Sequence, residues 1–172
     1  MFRDKLPDGF NFPIILKADD GAKGNDNFLV KTSKEALGIL TRADKDKEFV
    51  IQNFLPNNGD YRLLFVGLDE KPLIFLREST GDSHLNNTSR GGKGTLIESE
   101  SMQEYVTLAR QAAKIVKREI CGVDILVDNR QGKPYILEVN STPALATGYA
   151  VDRKNVMFAK FLERTFELQE EE

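Results

Sequence analysis

The stretch GVDILVDNRQGKPYILEVNSTPAL, residues 122–145, constrains the fold more than any other part of the chain. It reads as two strands and a turn. Side chains alternate along a strand, so every second residue shares a face. Val123, Ile125 and Val127 fall on one side, and Tyr135, Leu137 and Val139 are expected to continue that apolar side across the hairpin. The other side receives Asp124, Leu126, Asp128, Ile136, Glu138 and Asn140. A turn centred on Gln131 sets Asp124 opposite Glu138, and two carboxylates in that relation repel and weaken a sheet. Two readings follow. Either the polar face simply meets water, or hard oxygen donors converge there on Mg²⁺, which takes one or two carboxylates and shares its other positions with water and phosphate oxygens. A carboxylate pair for glycoside chemistry uses the same residue types, but no partner motif accompanies this one.

Around the hairpin, FPIILK (residues 12–17) reads as a strand, followed by the Gly/Asp/Asn-rich loop ADDGAKGNDN and the short strand FLV at Phe28–Val30. Thr32 and Glu35 have capping-box spacing and open a helix bearing Ala36, Leu37, Ile39 and Leu40. EFVIQNFL, DYRLLFVG and KPLIFLRE are further strands, the last two joined by a turn at Asp69 and Glu70. Residues 79–95 are polar and Gly-rich, hence a long loop. Ser101 and Glu104 suggest a second capping box. Its helix, to about Glu119, carries a stripe of Tyr105, Leu108, Ala109, Ala112, Ile115 and Val116. A final helix from about Asp152 carries Val156, Ala159, Leu162 and Phe166, before an acidic tail at Glu170–Glu172. Paired strands interrupted by single helices imply an α+β fold with mostly antiparallel sheet.

At 172 residues, 40 % hydrophobic and 30 % charged, the chain suits one globular unit. A net charge of −3 gives no general affinity for nucleic-acid backbone or anionic lipid. Cys121, the single cysteine, excludes an internal disulfide and a zinc site built on cysteine pairs; it is expected in or beside the core. No apolar run nears 18 residues and no charged-then-apolar leader is read, so a reducing cytoplasm is the expected setting.

Lys17 ends a strand just before the Gly-rich loop. There it is either a surface lysine or a point charge on a phosphate that the loop's N–H groups enclose. Neither DGAKGNDN nor RGGKGT supplies the Gly-Lys-Ser/Thr of a Walker A loop. VIQNFLP is either an ordinary core strand or the wall of a flat apolar ligand, with Gln52 offering hydrogen bonds. Arg62, Arg77, Arg90 and Lys93 are solvated surface, or phosphate holders if they cluster around a metal. His84, the only histidine, is read as a loop residue.

In their order along the chain, FPIILKADDGAKG, VIQNFL, GDYR, NTSRGGKG and GVDIL…ILEVNSTPAL resemble the elements of an ATP-grasp domain, most of all those of RimK-type ligases. The resemblance implies ATP held between two α+β subdomains, about residues 12–60 and 60–172, within one ATP-grasp domain over 1–172. It implies two Mg²⁺ (or Mn²⁺) on the phosphates. A carboxylate is phosphorylated to an acyl phosphate, which an amine attacks to form an amide; amino-acid or glutamate addition to a peptide or protein end is the family's suggestion. On this chain Asp124, Glu138 and Asn140 would hold metal, and Lys17 the phosphates under a cover containing Asp20, Gly21 and Gly24. Gln52, Asn53, Phe54 and Leu55 would face adenine and Asp60 the ribose, with Arg62 also on the nucleotide. Arg77, Asn87 and Arg90 would face the transferring phosphoryl group.

The sequence also departs from the family. Asn53 stands where relatives often have Glu, Leu85 where close relatives tend to have a cation, and Asn25, Asp26 and Asn27 interrupt the glycine pattern. The chain is expected to begin inside the family's ATP-binding unit, without the α/β domain that usually precedes it. An absent domain or an oligomeric partner is therefore implied. A non-catalytic ATP-binding module and a kinase making a phosphate ester remain the other two readings.

Overall fold

A computed structural model of the chain describes residues 6–19, 26–78 and 93–170. Two antiparallel sheets organise them. The smaller contains β1 (Ile14–Ala18), β2 (Asn27–Val30) and β3 (Phe49–Asn53) in the order β2-β1-β3, with helix α1 (Ser33–Arg42) between β2 and β3. The larger contains β4 (Asp60–Val66), β5 (Leu73–Glu78), β6 (Lys93–Ile97), β7 (Ile120–Asp128) and β8 (Lys133–Asn140) in the order β6-β5-β4-β7-β8. Helix α2 (Gln103–Ile115) joins β6 to β7, and α3 (Val151–Glu170) follows β8.

Each sheet has its own apolar cluster. In the smaller, Ile14, Leu16 and Val30 pack against Ala36 and Leu40 of α1. Thr32 caps α1 as expected, its Oγ1 accepting from the Glu35 N–H at 3.2 Å, while the Glu35 carboxylate reaches one residue further back than in a capping box and accepts from the Lys31 N–H at 2.8 Å. In the larger, Leu63, Phe65, Ile74, Val123 and Ile125 meet Val106, Ala109 and Ala113 of α2, and Cys121 lies in this core as expected. Helical spacing of 106, 109 and 113 puts these three small or branched side chains on one face, so the helix can lie close to the strands.

Three expectations outside the hairpin need correction. The second capping box does not form: Ser101 Oγ donates to the Glu98 carbonyl at 2.9 Å within a 3-10 turn over Ser99–Met102, and Met102 caps α2 without a side-chain hydrogen bond. The end of the helical stripe is not core. The helix stops at Ile115 and the chain turns at Lys117 with φ 54°, which leaves Ile115 81 % exposed and Val116 exposed as well. Residues 93–95, assigned to a loop, begin β6.

The hairpin differs in one informative way. Gly122, Val123 and Asp124 pair with Asn140, Val139 and Glu138, but Ile125 then pairs with Ile136, and Asp128 with Lys133. The turn therefore closes one residue short of symmetry about Gln131, and a β-bulge at Leu137 absorbs the difference. A one-residue slip reverses which face a side chain occupies. Ile136, expected on the polar side, joins the core cluster, while Leu137 is 42 % exposed and Tyr135 pairs with Leu126.

Candidate functional site

Alternation along β4, β5 and β7 sends Leu63, Ile74, Val123 and Ile125 to the core. Asp60, Arg62, Phe75, Arg77, Asp124 and Leu126 are left on the opposite face. Register makes neighbours of them: Asp60 pairs with Arg77 and with Leu126, and Arg62 with Phe75 and with Asp124. Arg62 donates from Nε and Nη2 to the two oxygens of Asp124, both at 2.7 Å, the forked geometry a guanidinium offers a carboxylate. Arg77 Nη2 lies 2.8 Å from Asp124 Oδ2, and its Nε donates to Asp60 Oδ1 at 2.6 Å. Asp60, Arg77 and Asp124 are all buried.

Glu138 lies directly across from Asp124 as expected, although it is the bulge at Leu137, rather than a turn centred on Gln131, that brings the two into register. Their repulsion is relieved by cations from three strands. Arg62 Nη2 is 3.7 Å from Glu138 Oε1, and Lys17 Nζ, from the smaller sheet, donates to Glu138 Oε2 at 3.2 Å. Three carboxylates thus face three cations. Burial dominates at Asp60 and, with the neighbouring Asp124 charge, lifts its pKa from 3.8 to about 6 against the pull of Arg77. Burial also acts on Asp124, but there Arg62 and Arg77 prevail and hold the carboxyl below its ordinary value.

Asn140 lies two residues beyond Glu138 on β8, and its Oδ1 accepts the Thr142 N–H at 2.8 Å. Among the described residues no three His, Cys, Asp or Glu side chains group as a metal site. A divalent ion here would take two carboxylates and one amide oxygen. That all-oxygen set fits a hard cation, and Asn140 Oδ1 keeps a second lone pair for it.

On the smaller sheet, Lys17 pairs with Val50 and Ile15 with Gln52, so Lys17 and Gln52 share the face turned away from that sheet's core. Gln52 and Asn53 are exposed, and the Phe54 N–H donates to the Pro13 carbonyl at 3.2 Å before the chain passes Leu55. Asp20, Gly21, Gly24, His84, Leu85, Asn87 and Arg90 lie outside the described residues. Sequence reading missed that Arg62 would engage Asp124. The signal was the Asp-x-Arg parity of β4, which puts both residues on the hairpin's acidic face. It also passed over Lys154. A groove of about 440 Å³ between α3 and the ends of β5 and β6 is lined by Leu73, Ile97, Val156 and Met157 among others, and shares no residue with the charged cluster.

The fold is shared with D-alanine–D-alanine ligase from Bacillus anthracis complexed with ATP, at a TM-score of 0.66 and 20 % identity, over 91 % of this chain and 52 % of that one. It is shared also with the ATP-grasp ligase PsnB complexed with minimal precursor, Mg and ADP, at 0.57 and 18 %, over 86 % of this chain and 46 % of that one. These likenesses define an ATP-grasp fold. The RimK-like ATP-grasp domain family matches residues 2–159, and the chain belongs to that family. A protein of Halorhodospira halophila named probable alpha-L-glutamate ligase is 31 % identical over 157 residues, 88 % of this chain and 50 % of the relative. Its namesake in Ectopseudomonas mendocina is 29 % identical over 173 residues, 95 % and 56 % respectively. The chain spans about half the length of these curated relatives. No described helix is long and apolar enough to cross a membrane.

Proposed function

We propose that this chain supplies the nucleotide- and metal-binding part of an ATP-dependent carboxylate–amine ligase. The observation that carries the reading is the meeting of Asp124 and Glu138 with Lys17, Arg62 and Arg77, cations drawn from both sheets. Family membership supports ATP as the nucleotide, and the relatives' printed name supports L-glutamate as one substrate. The cleft would lie between a lobe of about residues 12–60 and one of about 60–172. Gln52, Asn53, Phe54 and Leu55 would border the adenine and Asp60 the ribose, with Asp20, Gly21 and Gly24 in the cover over the phosphates.

Asp124, Glu138 and Asn140 would hold Mg²⁺, two ions by the family's habit. When bound, the metal neutralises phosphate charge and polarises the bond that breaks. The protein's own part is positioning and compensation of charge. Lys17 exchanges Glu138 for a phosphate oxygen. Arg77, with Asn87 and Arg90, faces the phosphoryl group as it passes to the substrate carboxylate, so that charge building up in transfer meets fixed donors. An amine then displaces phosphate from the acyl phosphate, forming the C–N bond. A second reading is nucleotide binding without turnover by this stretch of chain, which spans about half the length of the relatives named above.

The test is titration with ATP and Mg²⁺ followed by calorimetry and thermal unfolding. Wild type gains stability when both are present, and Glu138→Ala, a change at a partly exposed residue, loses most of that gain. An equal gain in both proteins overturns the assignment. Release of ADP with candidate acids, measured on this chain and on a longer one, then separates the two readings.

A further inference from the structure

We propose that Lys154 is a positioning residue that holds the segment Ser141–Ala150 as a wall beside Arg62, and so sets the phosphate-binding geometry of the site. The inference rests on the nucleotide reading above.

The segment leaves β8 immediately after Asn140 and reaches α3 without a single charged side chain. Whatever fixes it therefore fixes one side of the approach to the donor set. Lys154, in the first turn of α3, is only 6 % exposed. Its ammonium donates to the Ala144 carbonyl at 2.8 Å and to the Thr147 carbonyl at 2.7 Å. It also stands 5.7 Å from the centre of the Phe75 ring. Lysines are seldom buried without an anionic partner. Here two carbonyl dipoles and a ring face take that role, and a lysine so committed to one loop is suited to shaping it.

Phe75 connects this contact to the site, because it is the register partner of Arg62 on the next strand. Burial lowers the Lys154 pKa, and the Arg62 charge pushes the same way, which agrees with the two cations being neighbours. At the near end of the segment, Pro143 and the Arg62 side chain both border Gly122. A Cβ placed on Gly122 would lie 3.7 Å from Pro143 and 3.5 Å from Arg62 Nε.

A second anchor acts at the far end. Gly148 and Ala150 have φ of 79° and 54°, and between them Tyr149 lies on β6, where a Cβ on Gly94 would come within 2.7 Å of its ring. The segment is thus tied to β5 through Lys154 and Phe75 and to β6 through Tyr149, and it shares the neighbourhood of Gly122 with the arginine that engages Asp124. Sites of this kind need their groups held to within about 0.5 Å, which a free ten-residue connection would not provide.

The experiment measures ATP affinity in the presence of Mg²⁺ by calorimetry, for wild type, Lys154→Met, Lys154→Arg and Tyr149→Ala. Loss of an outer support of this sort costs roughly tenfold or more in affinity, so Lys154→Met is expected to weaken binding by about that factor. Lys154→Arg, which keeps a cationic donor to both carbonyls, recovers most of it, and Tyr149→Ala weakens binding in the same direction. Unchanged affinity in folded Lys154→Met, even with a lower Tm, means a structural role only and overturns the inference. Should that variant not fold, Tyr149→Ala decides alone, since Tyr149 is 46 % exposed and its removal leaves the core intact. Failure of the wild type itself to bind ATP overturns the nucleotide reading, and this inference with it.

Discussion

Arg62 and Asp124 meet across neighbouring strands through two parallel hydrogen bonds of 2.7 Å each, with Asp124 almost wholly enclosed. The pair removes the conflict in the hairpin, where acidic Glu138 sits opposite acidic Asp124. Removing one partner of a buried pair leaves the other desolvated and uncompensated. Arg62→Met is accordingly expected to destabilise the protein by roughly 3 kcal/mol, softened by the remaining Arg77 contact. Arg62→Lys, which cannot reproduce the fork, restores only part of that. Urea unfolding of both variants checks the order.

Asp60 gives the fold a signed dependence on pH. Its folded pKa, about 6, exceeds the unfolded value near 3.8, so between them the folded state holds more protons than the unfolded one. The stability contributed by its protonation is complete below about pH 4 and is lost as pH rises through 6, a change of roughly 3 kcal/mol at most. The difference in unfolding free energy between wild type and Asp60→Asn should therefore shift against the wild type over that window. A flat or opposite trend would show that Arg77 keeps Asp60 charged throughout. Asp124, with its lowered pKa, works in the other sense, gaining stability above its unfolded value.

Lys17 and Glu138 are both partly exposed, so their contact adds little to stability, about 0–1 kcal/mol. Lys17→Ala should leave the unfolding midpoint nearly unchanged while weakening ATP binding roughly tenfold, as expected for a lost charge-assisted hydrogen bond to phosphate. A large loss of stability with unaltered affinity would assign the lysine to architecture instead.

The bulge in β8 makes a prediction that an unbulged hairpin reverses. Ile136 packs on the core and Leu137 points away from it. Ile136→Ala should cost about 2 kcal/mol and Leu137→Ala well under 1 kcal/mol. Chemical denaturation ranks the two, and the opposite ranking would place Leu137 inside.

Much of this was legible in sequence because it depends on period and parity. The alternation of β7 sufficed to put Asp124 on the polar face and the Thr32/Glu35 spacing sufficed for the start of α1, whereas the pairing of 124 with 138 was reached from a turn centred one half-step off and is restored in the structure by the bulge. The bulge was not legible, since it arises from where the turn closes, at Asp128 and Lys133, and strand composition is silent on that. Ser101 has the right spacing for a cap, but its hydroxyl is taken by the Glu98 carbonyl in the preceding turn. Lys154 looks like any solvated lysine on an amphipathic helix; only the return of Ser141–Ala150 over it creates its burial.

The link from Lys17 to Glu138 joins one sheet to the other, and under the proposed function it would tie the fates of two ligands together. An anion that claims the lysine strands the glutamate without its counter-charge, and a divalent ion that claims the glutamate sets the lysine free. Each arrival would thereby favour the other, and by reciprocity the two affinities would rise by one common factor. Triphosphate and metal would then enter as a cooperative couple, with a single cross-sheet ion pair as the hinge of their mutual preference.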